Sequence, residues 1–72
     1  MGSAAEITVR INGSERTLGA KESIEHLLES LGRPVAGLAV AVNGEVIPRS
    51  LWAGTTLDQG DRVEILTAVA GG

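Results

Sequence analysis

The 72-residue chain has no cysteine, no phenylalanine and no tyrosine, and one residue each of tryptophan and histidine. Without cysteine it can form no disulfide, no thiolate metal site and no thiol nucleophile. A single histidine is too few for a typical zinc centre. With Trp52 as the sole aromatic, the core has to be assembled from Ile, Val, Leu and Ala. Excess positive charge is missing as well: six Lys and Arg stand against nine Asp and Glu, for a net charge of −3 and a pI near 4.9. A mildly acidic surface with no basic cluster repels phosphate, which argues against a nucleic-acid partner and favours basic ones. Long apolar runs are absent too. The longest, Leu38–Val42, falls far short of the ~20 residues that span a bilayer. Residues 1–5 carry neither the positive n-region nor the apolar h-region of a secretory signal. The chain opens Met1-Gly2, but Glu6 stands where a myristoylation motif wants Ser or Thr. These absences predict a cytoplasmic protein without a membrane segment, in which residues 1–6 are a short disordered extension or a cloning remnant.

The length allows one domain, and a domain of this size buries only about 60% of the surface its unfolded chain exposes. Ile7, Val9 and Ile11 alternate with Thr8 and Arg10, the period-two pattern of a strand with one buried face. Asn12-Gly13 favours the positive φ angles of a type I′ turn, so the chain returns as a second strand over residues 15–18 and stops at Gly19. Ser23 is a good helix N-cap, and Glu25 sits near the positive end of the helix dipole. Ile24, Leu27, Leu28 and Leu31 fall at i, i+3, i+4 and i+7 and form one apolar stripe. Gly32 suits the left-handed position after a helix, and Arg33-Pro34 forbids continuation. Leu38–Val42 reads as a central strand buried on both faces. Asn43-Gly44 turns it into Glu45–Ile47, and Pro48 marks a strand end or sheet edge. Residues 49–56 read as irregular, with a single turn around Leu51-Trp52. Gly60-Asp61 leads into a last strand, Arg62–Thr67, with Val63, Ile65 and Thr67 on one side.

The order β-β-α-β-β-β, with one apolar stripe on one helix, predicts an α+β fold. In it the helix lies across one face of a mixed sheet of four to five strands, and the last strand pairs in parallel with the first in the middle. That arrangement is a β-grasp. It spans residues 7–68 and leaves 69–72 as a flexible Gly-Gly tail.

Independent enzyme chemistry finds little support. His26 lies off the apolar stripe and faces solvent, while Glu22, Glu25 and Glu29 read as a solvated helix face. No glycine-rich turn joins a strand to a helix in the manner of a phosphate loop. The C-terminal run is more informative. Gly71 and Gly72 have no side chains, so the tail can lie in a channel too narrow for a Cβ. Beyond residue 67 it can reach at most ~18 Å, at about 3.3–3.6 Å per residue. A free carboxylate with a pKa near ~3.5 is ionised at neutral pH and is a poor electrophile, but conversion to an acyl-adenylate makes it a good acyl donor. The absence of cysteine and the single lysine, Lys21, fit a chain that carries an activated acyl group. The bland alternative is a frayed end with no role.

The stretch Val40-Ala41-Val42-Asn43-Gly44-Glu45-Val46-Ile47-Pro48-Arg49-Ser50-Leu51-Trp52-Ala53 resembles the thiamine-biosynthesis sulfur carriers of the ThiS family. Gly60-Asp61-Arg62-Val63-Glu64-Ile65, followed by Ala68-Val69-Ala70-Gly71-Gly72, is similar to that family's closing segment. The resemblance covers the chain from Ile7 onward and is most specific in its second half. It implies a carrier that is not itself an enzyme. A ubiquitin-activating-like adenylyltransferase, using ATP and Mg²⁺, would adenylate the Gly72 carboxylate. Sulfur from a persulfide donor, such as a cysteine desulfurase, would then displace AMP to leave a thiocarboxylate, which thiazole synthase would consume. Val69, Ala70 and Gly71 would thread into the partner's site, and no cofactor would be bound by the carrier itself. Two departures from the family pattern are the residues before Glu6 and His26, which stands where a capping-box Glu is expected.

Two readings stand for each remaining residue of interest. Trp52 either covers one end of the core or contacts a partner. Arg49 is either a solvated loop arginine or a docking residue, arginine being enriched at interfaces. Ile47 and Val46 are either buried or part of an apolar docking surface. Three other functions share the fold. The molybdopterin-type sulfur carrier usually has aromatics and a Pro-Pro-Val-like run before its tail, where this chain has Leu66-Thr67-Ala68-Val69. A ubiquitin-like modifier would end joined to a target lysine. A non-covalent β-grasp module would have no use for Gly72.

Overall fold

A computed structural model describes residues 6–32 and 37–67 of the chain. Expectations for the N-terminal extension, the Arg33-Pro34 helix stop and the tail lie outside the described residues. The first strand, β1 (Glu6–Ile11), pairs antiparallel with β2 (Ser14–Gly19), from Glu6↔Gly19 to Ile11↔Ser14. It thus takes in Glu6, one residue earlier than the alternation suggested. Asn12 has φ 51° and Gly13 φ 86°, the pair of positive angles that a type I′ turn needs.

The helix α1 (Ile24–Ser30) starts where its sequence places it. The Ser23 hydroxyl accepts from the His26 N–H at 3.1 Å, and the Ile24 N–H donates to the Thr55 carbonyl at 3.0 Å. Donors that a first helical turn leaves unpaired are thereby satisfied. At the other end Gly32, at φ 73°, lets the chain leave the helix while its N–H donates to the Glu29 carbonyl. Ile24, Leu27 and Leu28 are completely buried, and Leu31 is packed against the same core.

The strands β3 (Leu38–Val42) and β4 (Glu45–Ile47) form the second hairpin, turning through Asn43 at φ 53° and Gly44 at φ 85°. The final strand, β5 (Arg62–Thr67), enters between the two hairpins. It lies parallel to β1, in the register Ile11↔Val63, and antiparallel to β3, in the register Val40↔Ile65. The sheet order is β2-β1-β5-β3-β4, the mixed five-stranded sheet of a β-grasp with β5 at its centre.

The core is one apolar cluster between helix and sheet, closed at its ends by Trp52 and Leu57. Among the described residues no polar or charged residue is buried. Several local expectations change. Of Leu38–Val42 only Val40 is buried, because α1 covers a single face and leaves Ala39 and Ala41 half-exposed on the other. Thr67 continues the Val63 and Ile65 side of β5 but lies exposed at its end. The segment after Pro48 is more ordered than one turn, forming a 3₁₀ helix over Arg49–Gly54. Glu22 precedes the helix, and its side chain is only 13% exposed, so it is not part of a solvated helical face.

Truncating the centre of this cluster is the direct test of how far the domain depends on it. Leu28→Ala should lower the unfolding free energy by about 2–5 kcal/mol, a large share of the stability of so small a domain. Urea denaturation followed by the fluorescence of buried Trp52 measures this, and a loss below about 1 kcal/mol would mean the site collapses around the cavity.

Candidate functional site

The residues expected to carry the chemistry, Gly72 with Gly71, Ala70 and Val69, lie outside the described residues. The strand that leads to them is described in full. Backbone groups of Asp61, Val63 and Ile65 point to the β1 side, where the Arg10 and Asn12 N–H groups donate to the Asp61 and Val63 carbonyls at 2.9 Å. The chain then turns away at Gly13, which leaves Ile65 without a strand neighbour on that side. The Asn12 side chain takes the strand's place. Its Oδ1 accepts from the Ile65 N–H at 2.8 Å, and its Nδ2 donates to the Ile65 carbonyl at 3.1 Å.

The second turn asparagine also reaches β5, at its other end, with one bond to the strand backbone and one to a side chain. Asn43 Oδ1 accepts from the Arg62 N–H at 2.9 Å, and its Nδ2 donates to Asp61 Oδ1 at 3.0 Å. Asp61 Oδ2 accepts in turn from the Asp58 N–H at 2.8 Å, closing the turn that feeds the strand. Glycine or aspartate also suits a type I′ turn, so the positive φ alone does not call for these carboxamides. Both asparagines were legible as turn formers. Their attachment to β5 spans 53 positions for Asn12 and Ile65, and no local pattern could announce it.

The face of the sheet away from the helix is open. Cross-strand pairs set Ala41 beside Val46 and Glu64, and Ala39 beside Leu66. Val46 is 70% exposed and Leu66 63% exposed, so two large apolar side chains flank the small alanines of β3 next to the end of β5. Of the proposed docking residues, Arg49 is exposed at the start of the 3₁₀ helix, just beyond the edge strand β4. Ile47 is half-buried against the core. Trp52 is only 3% exposed, and its indole N–H donates to the Ile47 carbonyl at 2.8 Å. Its ring fills the end of the core, as the first of its two readings required, and is not presented to solvent.

Acid–base chemistry has no assembled site among the described residues. His26 is exposed, with Nδ1 3.3 Å from Oε2 of Glu22, which precedes the helix. No group of three or more His, Asp or Glu among the described residues converges to hold a metal ion. A groove of about 300 Å³ lies between the first turn and the end of α1, lined by Ile11, Asn12, Ser14, Arg16, Leu31 and Ile65. It contains no carboxylate and no histidine, so its lining offers no general base to activate the Ser14 hydroxyl.

With this geometry, likeness to known proteins becomes specific. The ThiS family model matches residues 3–72. The chain belongs to the ThiS family. The sulfur carrier protein ThiS of Escherichia coli (strain K12) is 31% identical over 64 residues, covering 89% of this chain and 97% of that protein. The thiamine biosynthesis protein ThiS of Geobacter metallireducens has a crystal structure that superposes with a TM-score of 0.80 at 32% identity. That match covers 92% of this chain and all of the other. A thiazole synthase of Paramagnetospirillum magneticum is 39% identical over 62 residues, but this chain spans only 19% of its length.

For a ThiS-family chain with a single aromatic, the indole hydrogen bond is a structural anchor with a measurable cost. Trp52→Phe keeps an aromatic ring but removes the indole N–H that donates to the Ile47 carbonyl. It should lower stability by about 1–3 kcal/mol, read by urea denaturation followed in the far-ultraviolet circular dichroism. An unchanged midpoint would show that water replaces the indole N–H at no cost.

Proposed function

We propose that this chain is a sulfur carrier for the thiazole moiety of thiamine, a presenter of its own C-terminal carboxylate and not a catalyst. The observation that carries the reading is the likeness, over nearly the whole of both chains, to a protein named as a sulfur carrier. The fold supports it physically. The strand leading to Gly72 is the central one of five, held on both sides, and so gives the tail a rigid root.

The chemistry follows from the carboxylate. An oxygen of the Gly72 carboxylate attacks the α-phosphorus of ATP on an adenylyltransferase, and pyrophosphate leaves. The terminal sulfur of a persulfide then attacks the carbonyl carbon, and AMP leaves. A thiol of the donor cleaves the resulting acyl disulfide and departs as a disulfide, freeing the Gly72 thiocarboxylate. On thiazole synthase the thiocarboxylate sulfur bonds to a carbon of that enzyme's substrate. An oxygen of water or of the substrate attacks the Gly72 carbonyl carbon as its bond to sulfur breaks, and the carrier returns as a carboxylate. ATP and Mg²⁺ belong to the activating partner. A glycine at the reacting position leaves the carbonyl carbon unshielded, Gly71 beside it can pass a channel too narrow for a Cβ, and Ala70 and Val69 follow into the partner's site behind them. The thiazole synthase whose sequence contains a stretch similar to this chain supports that enzyme as the consuming partner.

Docking falls to the open sheet face and the adjoining 3₁₀ segment. Val46 and Leu66 offer apolar area beside the root of the tail, and exposed Arg49 supplies a charged anchor. Ile47 and Trp52 contribute by fixing the backbone that presents Arg49.

The carrier role is tested by the intact mass of the chain after incubation with ATP, the adenylyltransferase of the same organism and a persulfide donor. The expected result is a gain equal to replacing one oxygen by sulfur, absent when Gly72 is deleted. A product linked to a lysine of another protein would instead identify a modifier. The docking surface is tested separately: Arg49→Ala and Val46→Glu should each raise the carrier's KM with the adenylyltransferase or with thiazole synthase by roughly tenfold, the size of a moderate interface contact. Both sites are exposed, so thermal unfolding should move little, and an unchanged KM with both enzymes would place docking elsewhere.

A further inference from the structure

Both turn asparagines accept from a backbone N–H of β5, at opposite ends of the strand, and only Asn12 lies next to the tail and also donates to a β5 carbonyl. Asn43 holds Asp61 and Arg62 at the start of the strand. Asn12 holds both the N–H and the carbonyl of Ile65, two residues before the strand ends at Thr67. A carboxamide presents one donor face and one acceptor face, as a peptide unit does, and so can complete a β-ladder where the neighbouring strand has stopped. Asn12 does this for β5 at the last point where the β1 side could support it. On the other side β3 continues to the end of β5, in the register Leu38↔Thr67.

We propose that Asn12 is a positioning residue for the transfer reaction, a clamp that sets the direction in which β5 delivers the tail. The proposal rests on the carrier reading above. Between Ile65 and Gly72 lie seven steps of chain, roughly 23 Å when extended at about 3.3 Å per residue. Docking fixes the sheet against the partner, and the clamp fixes the root of the tail against the sheet. The tail then leaves the sheet from a fixed point and in a fixed initial direction, which narrows the region the carboxylate has to search. A root free to swing away from the β1 side spreads the carboxylate over positions from which attack on the α-phosphorus does not occur, and errors of ~1 Å at a reacting atom already cost up to about 100-fold.

Positioning separates cleanly from stability, because the carrier is itself the varied substrate. A destabilised carrier is merely a more dilute one, so its KM rises and saturation restores the rate. A misdirected tail lowers kcat even at saturation. Asn12 and Asn43 both sit at positive φ, where glycine is at ease, so Asn12→Gly and Asn43→Gly each remove a carboxamide and keep the turn. Pyrophosphate release by the adenylyltransferase of the same organism is measured against carrier concentration for the full-length chain and both variants, with amide exchange of the free carriers alongside. The expected result is that Asn12→Gly loses protection at the Ile65 N–H and lowers kcat ten- to a hundredfold. Asn43→Gly should lose protection at the Arg62 N–H and change KM alone. A wild-type kcat in Asn12→Gly, with the Ile65 amide exchanging freely, overturns the clamp and leaves the carrier reading intact. No pyrophosphate release from the wild-type chain overturns the carrier reading and the clamp with it. Should Asn12→Gly fail to fold, Asn12→Asp takes its place and is judged on kcat alone. Aspartate keeps the acceptor for the Ile65 N–H, so that amide stays protected, but it loses the donor to the Ile65 carbonyl, and a wild-type kcat would overturn the clamp.

Discussion

The backbone of β5 is hydrogen-bonded on both sides at once, to β1 in parallel and to β3 in antiparallel register. A parallel neighbour cannot be reached by a tight turn, so this pairing obliges the chain to travel through the helix and the second hairpin before it returns. That path brings α1 across the sheet and buries Leu27 and Leu28 against Val63 and Ile65 in one cluster. Remove the pairing and two hairpins remain, each too small to be stable alone in water. The strand that unites the domain is also the one from which the chain runs on to Gly72, so under the proposed carrier function holding the fold together and rooting the tail fall to the same strand.

Covering the sheet on one face only has a second consequence. Helix-side positions can be wholly apolar, and among the described residues no buried polar group needs a partner there. The opposite face cannot be covered from within a chain of this length, and it keeps Val46 and Leu66 in solvent beside the alanines of β3. Scattered apolar exposure is ordinary, but this exposure includes Leu66 on the strand that runs on to the C-terminus, where the proposed carrier function would bring a partner. Arg49 lies beyond the edge strand, on a 3₁₀ segment anchored by the Trp52 indole.

Much of the fold was readable from local pattern. The alternation of Ile7, Val9 and Ile11, the stripe from Ile24 to Leu31 and the two Asn-Gly turns each encode one element through its own period or φ requirement, and each element is present. Errors arose where burial depends on what lies above a residue. Leu38–Val42 is uniformly apolar in sequence, yet Ala39 and Ala41 remain half-exposed because no layer covers that side. Leu57, nearly fully buried, sits in a segment without periodicity. It is carried under the core by the Ser23↔Thr56 bridge, with the Leu57 N–H donating to the Glu22 carbonyl and the Ile24 N–H to the Thr55 carbonyl. The candidate site divides in the same way. The slim glycine tail and the family likeness were visible residue by residue, whereas the role of the asparagines and the burial of Trp52 were not.

By itself the sequence determined the element types, their order, the two type I′ turns, the helix cap at Ser23 and the chemistry open to a chain without thiols. Those properties depend on neighbours within a few residues, through backbone sterics, capping and periodicity. Only the tertiary structure decided which side chains of one turn reach a strand more than fifty residues away, which face of the sheet stays open and whether the single tryptophan meets solvent. The reason is physical: such contacts form when distant segments share a surface, and the loop-closure entropy spent in bringing them together is repaid by packing that no short window of sequence contains.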